Sequence, residues 1–486
     1  MIRPTLNEAK TLAENNTIIP IALEIFSDMK TPIEVLRNIK RQSDDWFILE
    51  SVNGADRWGR YSFLGYKPVR EVFGIGDAIT IVDKSSKTDL EPNAVSVIRA
   101  MISKYKSPRI SELPPFTGGF VGYFAYDFVR HFIPDFKSIA KNDNGFRDFH
   151  LMLIDKVIAF DHFKQKIFLI VNVPAADIET GYIKGITELK DMEKMILDTE
   201  PHPKDAPSVC GEFSPLYSET DFIEMVDTVK SHIVDGDILQ AVISNRHEAP
   251  FKGSLMNTYR MLRTINPSPY MVHMRIGDIE LACASPETLV ALRDGEISSF
   301  PLAGTCPRGQ TDAEDKALIN ALLHDEKELG EHDMLVDLAK NDIGKVSASG
   351  SVRVSEYRQI KRFSHVSHIS SCVQGNLRKG VDALDVIAAT FPAGTLSGAP
   401  KKRTCEIIDA VEDVKRGVYG GAIGYIDFTG NMDMCIGIRM AVLKDEKVYV
   451  QAGAGIVADS VPEKEYQETR YKASAVMEAL KQSGEI

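Results

Sequence analysis

The 486-residue sequence is short of several things. Its six cysteines, at 210, 283, 306, 372, 405 and 435, are scattered and never form a C-x-x-C pair. That speaks against a zinc ribbon or a disulfide framework and suits reduced thiols in a cytoplasm. No window holds the ~18 consecutive apolar residues that a membrane-spanning helix needs. The opening, MIRPTLNEAK, has no apolar h-region, so no secretory signal is expected. Positive charge is also in deficit: 57 Lys and Arg against 69 Asp and Glu leave a net charge of −12. Broad nucleic-acid binding, which needs clustered cations against backbone phosphates, is not expected. Familiar catalytic signatures are missing too. There is no Walker A loop, no GxGxxG after a strand and no GxSxG. No cysteine sits in a G-x-C-x-G setting, so thiol amidase chemistry is not expected of this chain.

What is present is ordinary in bulk and specific in detail. Hydrophobic residues make up 44% and charged ones 26%, so a large core can form without disulfide or metal staples. At about 150 residues per domain, two or three domains are expected. The stretch 198–215, DTEPHPKDAPSVCGEFSP, carries four prolines and no apolar periodicity, and reads as a linker. The expected division is a first region 1–205 and a second region 215–486, packed as one body. No short repeat or low-complexity tract is evident. HLMLIDKVIAF and KIFLIVNV read as strands joined through DHFKQ, and Asp294-Gly295 and Lys444-Asp445-Glu446 read as further hairpin turns. Ser218 and Asp221 form a capping-box signature, followed by apolar residues at helical spacing. Long helices are expected around 312–341 and 463–482. The pattern is α+β with much antiparallel sheet, and lacks the βαβ alternation of a Rossmann fold.

Two groups of residues could carry chemistry. Glu328 and Glu331, and again Glu465 and Glu468, lie three apart on expected helices, so each pair shares a face. Two such faces brought together would suit a hard divalent cation such as Mg²⁺, although the spacing alone is more often that of a solvated helix face. Glycine clusters are the second group: FPLAGTCPRG (300–309), FPAGTLSGAPK (391–401), VYGGAIGY (418–425) and QAGAGIV (451–457). Glycine lets backbone N–H groups approach an anion, and it also simply makes turns. His365 and His368 stand in KRFSHVSHISS, and spacing does not separate them. Unaided, these residues support an enzyme with a metal and an anionic small-molecule substrate.

The same motifs resemble a known family. SPETLV, PLAGTCPRG, EHDMLVDLAKNDIG, FPAGTLSGAPK, YGGAIGY, CIGIRM and QAGAGIVADSVPEKEYQET look like the chorismate-utilising enzymes, through nearly all of 218–486. LESVNGADRWGRYSFLG (49–65) and GGFVGYFAYDFV (118–129) are similar to its ammonia-using branch, the anthranilate synthase large subunits and the aminodeoxychorismate synthases. The resemblance implies a fold of packed antiparallel sheets, a large β-sandwich surrounded by helices. Two positions choose within the family. Gln240 stands where water-adding members carry a lysine base, and a neutral amide suits ammonia, which is already nucleophilic. Ala303 stands where aminodeoxychorismate synthases usually carry a lysine. Both point to the anthranilate-forming members.

The resemblance implies the following roles. Glu331 and Glu468 would hold Mg²⁺, with Glu328 and Glu465 orienting its waters. Glu287 would protonate the departing hydroxyl, Gln240 would place ammonia, His368 would move a proton during pyruvate release, and Thr395 would touch the reacting region. Tyr419 and Arg439 would grip the enolpyruvyl carboxylate. Gly304, Thr305, Gly453, Ala454, Gly455 and Lys472 would complete the substrate site. The family usually has Asn before that lysine, where this chain has Tyr471. Ser51, Pro269, Tyr270 and Met271 match a tryptophan-binding signature, which implies feedback inhibition. The expected reaction joins chorismate and ammonia to give anthranilate and pyruvate. Because glutamine-hydrolysing chemistry is not legible here, a separate glutamine amidotransferase subunit is expected, in a hetro-oligomeric and cytoplasmic setting.

Overall fold

The computed structural model describes residues 2–51, 59–83, 86–90, 93–198, 208–362 and 366–485. Residues 199–207 of the expected linker, and His365, lie outside the described residues; the rest is not plain linker, since Val209–Cys210 and Ser214–Pro215 are short strands paired with Gln240–Lys252. Among the described residues the strands form two antiparallel sheets, one of 14 strands and one of 12. The expected sandwich surrounded by helices is the observed architecture.

Alternation along the strands explains the layering. Phe47, Val157, Ile170 and Leu281 of the larger sheet face Val121, Met152, Ile423 and Cys435 of the smaller one. Their neighbours Ile48, Ile158 and Leu169 point the other way, against Val35, Leu36, Leu189, Val476 and Leu480 on helices. On the far side, Val72, Leu151 and Val290 meet Ile98, Val336, Leu384 and Ile387. Both faces of both sheets are therefore buried, and many strands read as unbroken apolar runs.

That burial hides where the chain changes sheet. HLMLIDKVIAF reads as one strand but holds two: Phe149–Ile154 belongs to the smaller sheet and Lys156–Asp161 to the larger, with the crossing at Asp155. IELACASPETLVALR crosses at Pro286 and Glu287, between Ile279–Ser285 and Thr288–Arg293. MCIGIRMAVL crosses at Gly437, Ile438 and Arg439, between Met432–Ile436 and Met440–Lys444. Arg439 adopts a left-handed φ of 52° there, a conformation uncommon for a residue with a side chain.

The expected hairpins form, with Asp161 opposite Lys166, Arg293 opposite Glu296 and Lys444 opposite Lys447. Ser218 and Asp221 make the expected capping box. The helix expected over 312–341 is instead two, Asp312–Leu322 and Glu326–Gly344. Asp325 divides them by accepting the backbone N–H groups of Lys327 and Glu328, a local bond that competes with a continuous helix.

The chain also repeats itself at half its length, which no short-range pattern revealed. In the larger sheet the halves join where Trp46–Glu50 pairs with Tyr270–Ile276. Outward from that seam the order is Tyr61–Tyr66, Lys156–Asp161, Lys166–Pro174, Ile18–Phe26 on one side. On the other it is Ile279–Ser285, Met440–Lys444, Lys447–Ile456, Gln240–Lys252. The smaller sheet joins at Gly119–Phe124 and Ala422–Asp427, again with matching neighbours on each side. There GGFVGY and GGAIGY run antiparallel, with Gly122 opposite Gly424. A side chain at either glycine would strike a carbonyl of the adjoining strand, of His150 or Asp433, at 2.0 Å. The matching also aligns Pro68 with Pro286 at equivalent crossings.

Candidate active site

The second-half crossings build the site. Glu287 follows Pro286 in one of them. Burial pushes its carboxyl up to about 7, against the lowering effects of the Thr395 hydroxyl and Lys472. Thr395 lies in a short 3₁₀ turn, Gly394–Leu396, and its Oγ1 donates to Glu287 Oε1 at 3.0 Å. Such a carboxyl is half protonated near neutrality, which suits a general acid.

His368 lies opposite Thr305 on a paired strand. Its Nδ1 is 2.9 Å from Thr305 Oγ1 and 3.3 Å from the Gly304 carbonyl oxygen. Nδ1 thus faces both a hydroxyl, which can donate or accept, and a carbonyl, which only accepts, and the ring tautomer sets which of the two it bonds. Burial, with help from Arg439, holds the imidazole below its ordinary pKa, against the raising effect of that carbonyl. The ring is therefore neutral at neutral pH.

Arg439 is desolvated, donates to the carbonyl of Lys472 and feels the Tyr419 hydroxyl. Room between Tyr419 and the sheet depends on Gly453. A Cβ there would stand 2.9 Å from the Tyr419 hydroxyl and 2.8 Å from the Ile243 carbonyl. Gly453, Ala454 and Gly455 run beside Ser244, Ile243 and Val242 of the strand that begins at Gln240. Ala241 and Ile243 point into the helix-side cluster with Phe222, so Gln240 takes the opposite face with Val242. Lys472 donates to the Gly453 carbonyl at 3.1 Å and pairs with Glu468 at 2.6 Å.

The first-half position equivalent to Gly453 is Asn172. Its Nδ2 donates to the carbonyls of Thr117 and Asp155, at 2.6 and 3.0 Å. The first half thus carries a bonded side chain where the second half has a glycine that Tyr419 approaches closely.

Glu328 and Glu331 lie on the helix Glu326–Gly344, and Glu465 and Glu468 on the helix Pro462–Gln482. Glu331 is raised by burial and then by Glu328 and Glu468, with Lys472 opposing. Glu465 is raised by burial and by Glu468, against Ser460 and Lys472. The two helices thus bring carboxylates into one another's field. Among the described residues no three metal-type side chains form a ready-made cage. An all-oxygen donor set with unmet negative charge still fits Mg²⁺, which keeps waters and takes ligand oxygens rather than an all-protein cage.

Ser51, Pro269, Tyr270 and Met271 all line a second cavity, of about 380 Å³, between the sheets at the seam of the two halves. The Ser51 hydroxyl is buried with no hydrogen-bond partner among the described residues. Tyr270 donates to Asp433 Oδ1 at 2.8 Å, with Thr288 Oγ1 at 3.0 Å, and Asp433 pairs with Arg293 at 2.9 Å. Glu50, Arg60, Arg293, Tyr425 and Asp433 also line this cavity and were not singled out from sequence. A signal existed for two of them, since Arg293 ends TLVALR and Asp433 interrupts MDMCI, charges within otherwise apolar strands.

Comparison with known proteins fits this geometry. The family model for chorismate binding enzyme matches residues 59–478. The chain belongs to the chorismate binding enzymes. Within that family it sits among the anthranilate synthase large chains. It is 44% identical to anthranilate synthase component 1 of Acetivibrio thermocellus, over 100% of both chains. It is 41% identical to that of Aquifex aeolicus, over 98% of this chain and 97% of the relative. The crystal structure of anthranilate synthase component I from Streptococcus pneumoniae TIGR4 superposes with a TM-score of 0.78 at 36% identity, covering 93% of this chain and 98% of that one. The menaquinone-specific isochorismate synthase of Escherichia coli shares the fold, with a TM-score of 0.73 at 18% identity over 97% of this chain and 99% of that one.

Proposed function

We propose that the chain is the large subunit of an anthranilate synthase, joining ammonia to chorismate and releasing anthranilate and pyruvate. The observation that carries this reading is Glu287, a partly buried carboxyl raised to about 7 by desolvation and held by Thr395. Ammonia forms a C–N bond to the ring as the C–O bond to the ring hydroxyl breaks. Glu287 gives its proton, so the hydroxyl departs as water. Gln240 places the ammonia without needing to deprotonate it. Arg439 and Tyr419 hold the enolpyruvyl carboxylate, Arg439 by a charged fork. Gly304, Thr305, Lys472 and the Gly453–Gly455 backbone close around the rest. His368 moves a proton during pyruvate release. Glu331 and Glu468 would hold Mg²⁺, with Glu328 and Glu465 supporting its waters. When bound, the ion neutralises substrate carboxylate charge.

Ammonia is proposed to come from glutamine through a separate amidotransferase subunit in a hetero-oligomer. The setting is the cytoplasm, where the six thiols, none of them in a disulfide among the described residues, stay reduced. Tryptophan is proposed to bind the 380 Å³ cavity as feedback inhibitor, with Ser51 supplying a buried hydroxyl that has no partner among the described residues.

The test is product analysis with chorismate, Mg²⁺ and excess ammonium at alkaline pH. Fluorescent anthranilate and pyruvate should appear in equal amounts. An amino-chorismate accumulating without pyruvate, or turnover that needs no ammonium, would overturn the reading.

A further inference from the structure

Beneath the cleft lies a fully buried ion pair that the roles above do not use. Arg416 Nε and Nη2 donate to the two oxygens of Glu412, at 2.7 and 2.6 Å. Both side chains are almost wholly excluded from solvent. The remaining bonds of the guanidinium leave the pair. Nη1 donates to the Leu396 carbonyl at 2.7 Å, and Nη2 to the Val242 carbonyl at 2.6 Å. Glu412 Oε1 also accepts from the backbone N–H and the hydroxyl of Ser244, at 2.7 and 2.9 Å. The guanidinium lies 4.3 Å from the ring centre of Tyr126 and 5.9 Å from that of Tyr419.

The places where these bonds land are informative. Leu396 is the residue after Thr395, in the same 3₁₀ turn. Val242 and Ser244 lie two and four residues beyond Gln240 on its strand. Tyr419 lies three residues after Arg416 in the loop that leads into Ala422–Asp427. Three segments that are distant in sequence, each with one proposed site residue, meet on one planar, five-donor group. A buried ion pair is poor evidence for stability, because a well-packed apolar replacement is often equally stable. What it supplies is directional specification, since a rigid fork satisfies several acceptors only in one relative arrangement.

We infer that Arg416, locked by Glu412, is a positioning residue for the reaction, fixing Thr395, Gln240 and Tyr419 relative to one another. This rests on the functional reading above. Arg416 touches no reacting atom; it acts through the turn that aims Thr395 at Glu287 and through the strand that carries Gln240. Lysine at 416 keeps the charge but cannot reach Glu412, Leu396 and Val242 together.

The test is a double-mutant cycle on ammonia-dependent turnover, using R416K, T395A and the pair. In the wild-type background T395A should lower kcat about tenfold or more. In the R416K background, where the turn is released, T395A should cost less than about threefold. R416K should also raise the KM for ammonium while the thermal transition remains cooperative. An arginine that only stabilises the fold would leave the T395A factor the same in both backgrounds, and that result overturns the inference. So would wild-type kcat and KM in R416K. If R416K does not fold, the near-isosteric E412Q carries the same cycle. Failure of both to fold also overturns the inference, because the pair would then be serving the fold and not the site. The wild-type product assay is a separate control: if it gives no anthranilate, the functional reading fails, whatever the cycle shows.

Discussion

Glu287 sets a local conflict between stability and chemistry. Its folded-state pKa of about 7 lies above the 4.5 of an unperturbed glutamate, so the folded chain holds this proton more tightly than the unfolded one. Ionising it in the fold therefore costs stability, and that cost grows between pH 4.5 and 7 and persists above. Replacement by Gln should raise stability at pH 8 by on the order of 2–3 kcal/mol and have little effect at pH 4. The same variant should lose about 10²–10⁴ in turnover. Thermal denaturation at the two pH values checks this, and equal midpoints for variant and parent at pH 8 would refute it. Glu287, His368 and Gln240 could be proposed from sequence because short motifs surround them. Arg416 and Glu412 could not, because what matters about each is a partner on a remote segment. Arg416 reads in sequence as a surface charge in DVKRG, and only the fold shows the two carbonyls it serves.

At the scale of elements, the places where strands pass from one sheet to the other hold residues proposed for the chemistry. Glu287 and Arg439 occupy two such crossings, and Gly453 clears the space that Tyr419 and Arg439 share. A single methyl at 453 should push the Tyr419 hydroxyl or the neighbouring strand. Gly453→Ala is expected to reduce kcat/KM by about 10–100-fold at a stability cost of about 1–3 kcal/mol. Steady-state kinetics and chemical denaturation separate the two effects, and wild-type kcat/KM would remove the steric assignment. Strands, hairpins and the Ser218 cap were legible from local pattern. The crossings were not, because strands buried on both faces give no alternation to mark a change of sheet. The break at Asp325 was missed for a different reason, since a side-chain cap within an acidic, helix-favouring stretch leaves the period almost undisturbed.

For the whole molecule, the seam decides what can be separated. Each half contributes two long strands to ladders that only the other half completes, Trp46–Glu50 with Tyr270–Ile276 and Gly119–Phe124 with Ala422–Asp427. Expressed alone, residues 1–205 should aggregate, since these edges would be bare and flat. Co-expression with 215–486 should restore soluble material, as gel filtration would report; a soluble, folded first half on its own would contradict this. Tryptophan in the seam cavity should raise the stability of the intact chain by about 2.7 kcal/mol at a hundredfold excess over its Kd. A calorimetric midpoint unmoved by tryptophan would exclude the cavity as its site. The matching strand orders on either side of the seam carry a further consequence. A chain of half this length, paired with its own twin across the same two ladders, would build the same two sheets and two equivalent clefts. In the present molecule the two equivalent positions have diverged: Asn172 bonds the Thr117 carbonyl, while Gly453 lets Tyr419 approach the sheet closely. The seam cavity, belonging to neither of these positions, is a place from which a small ligand can touch both halves at once.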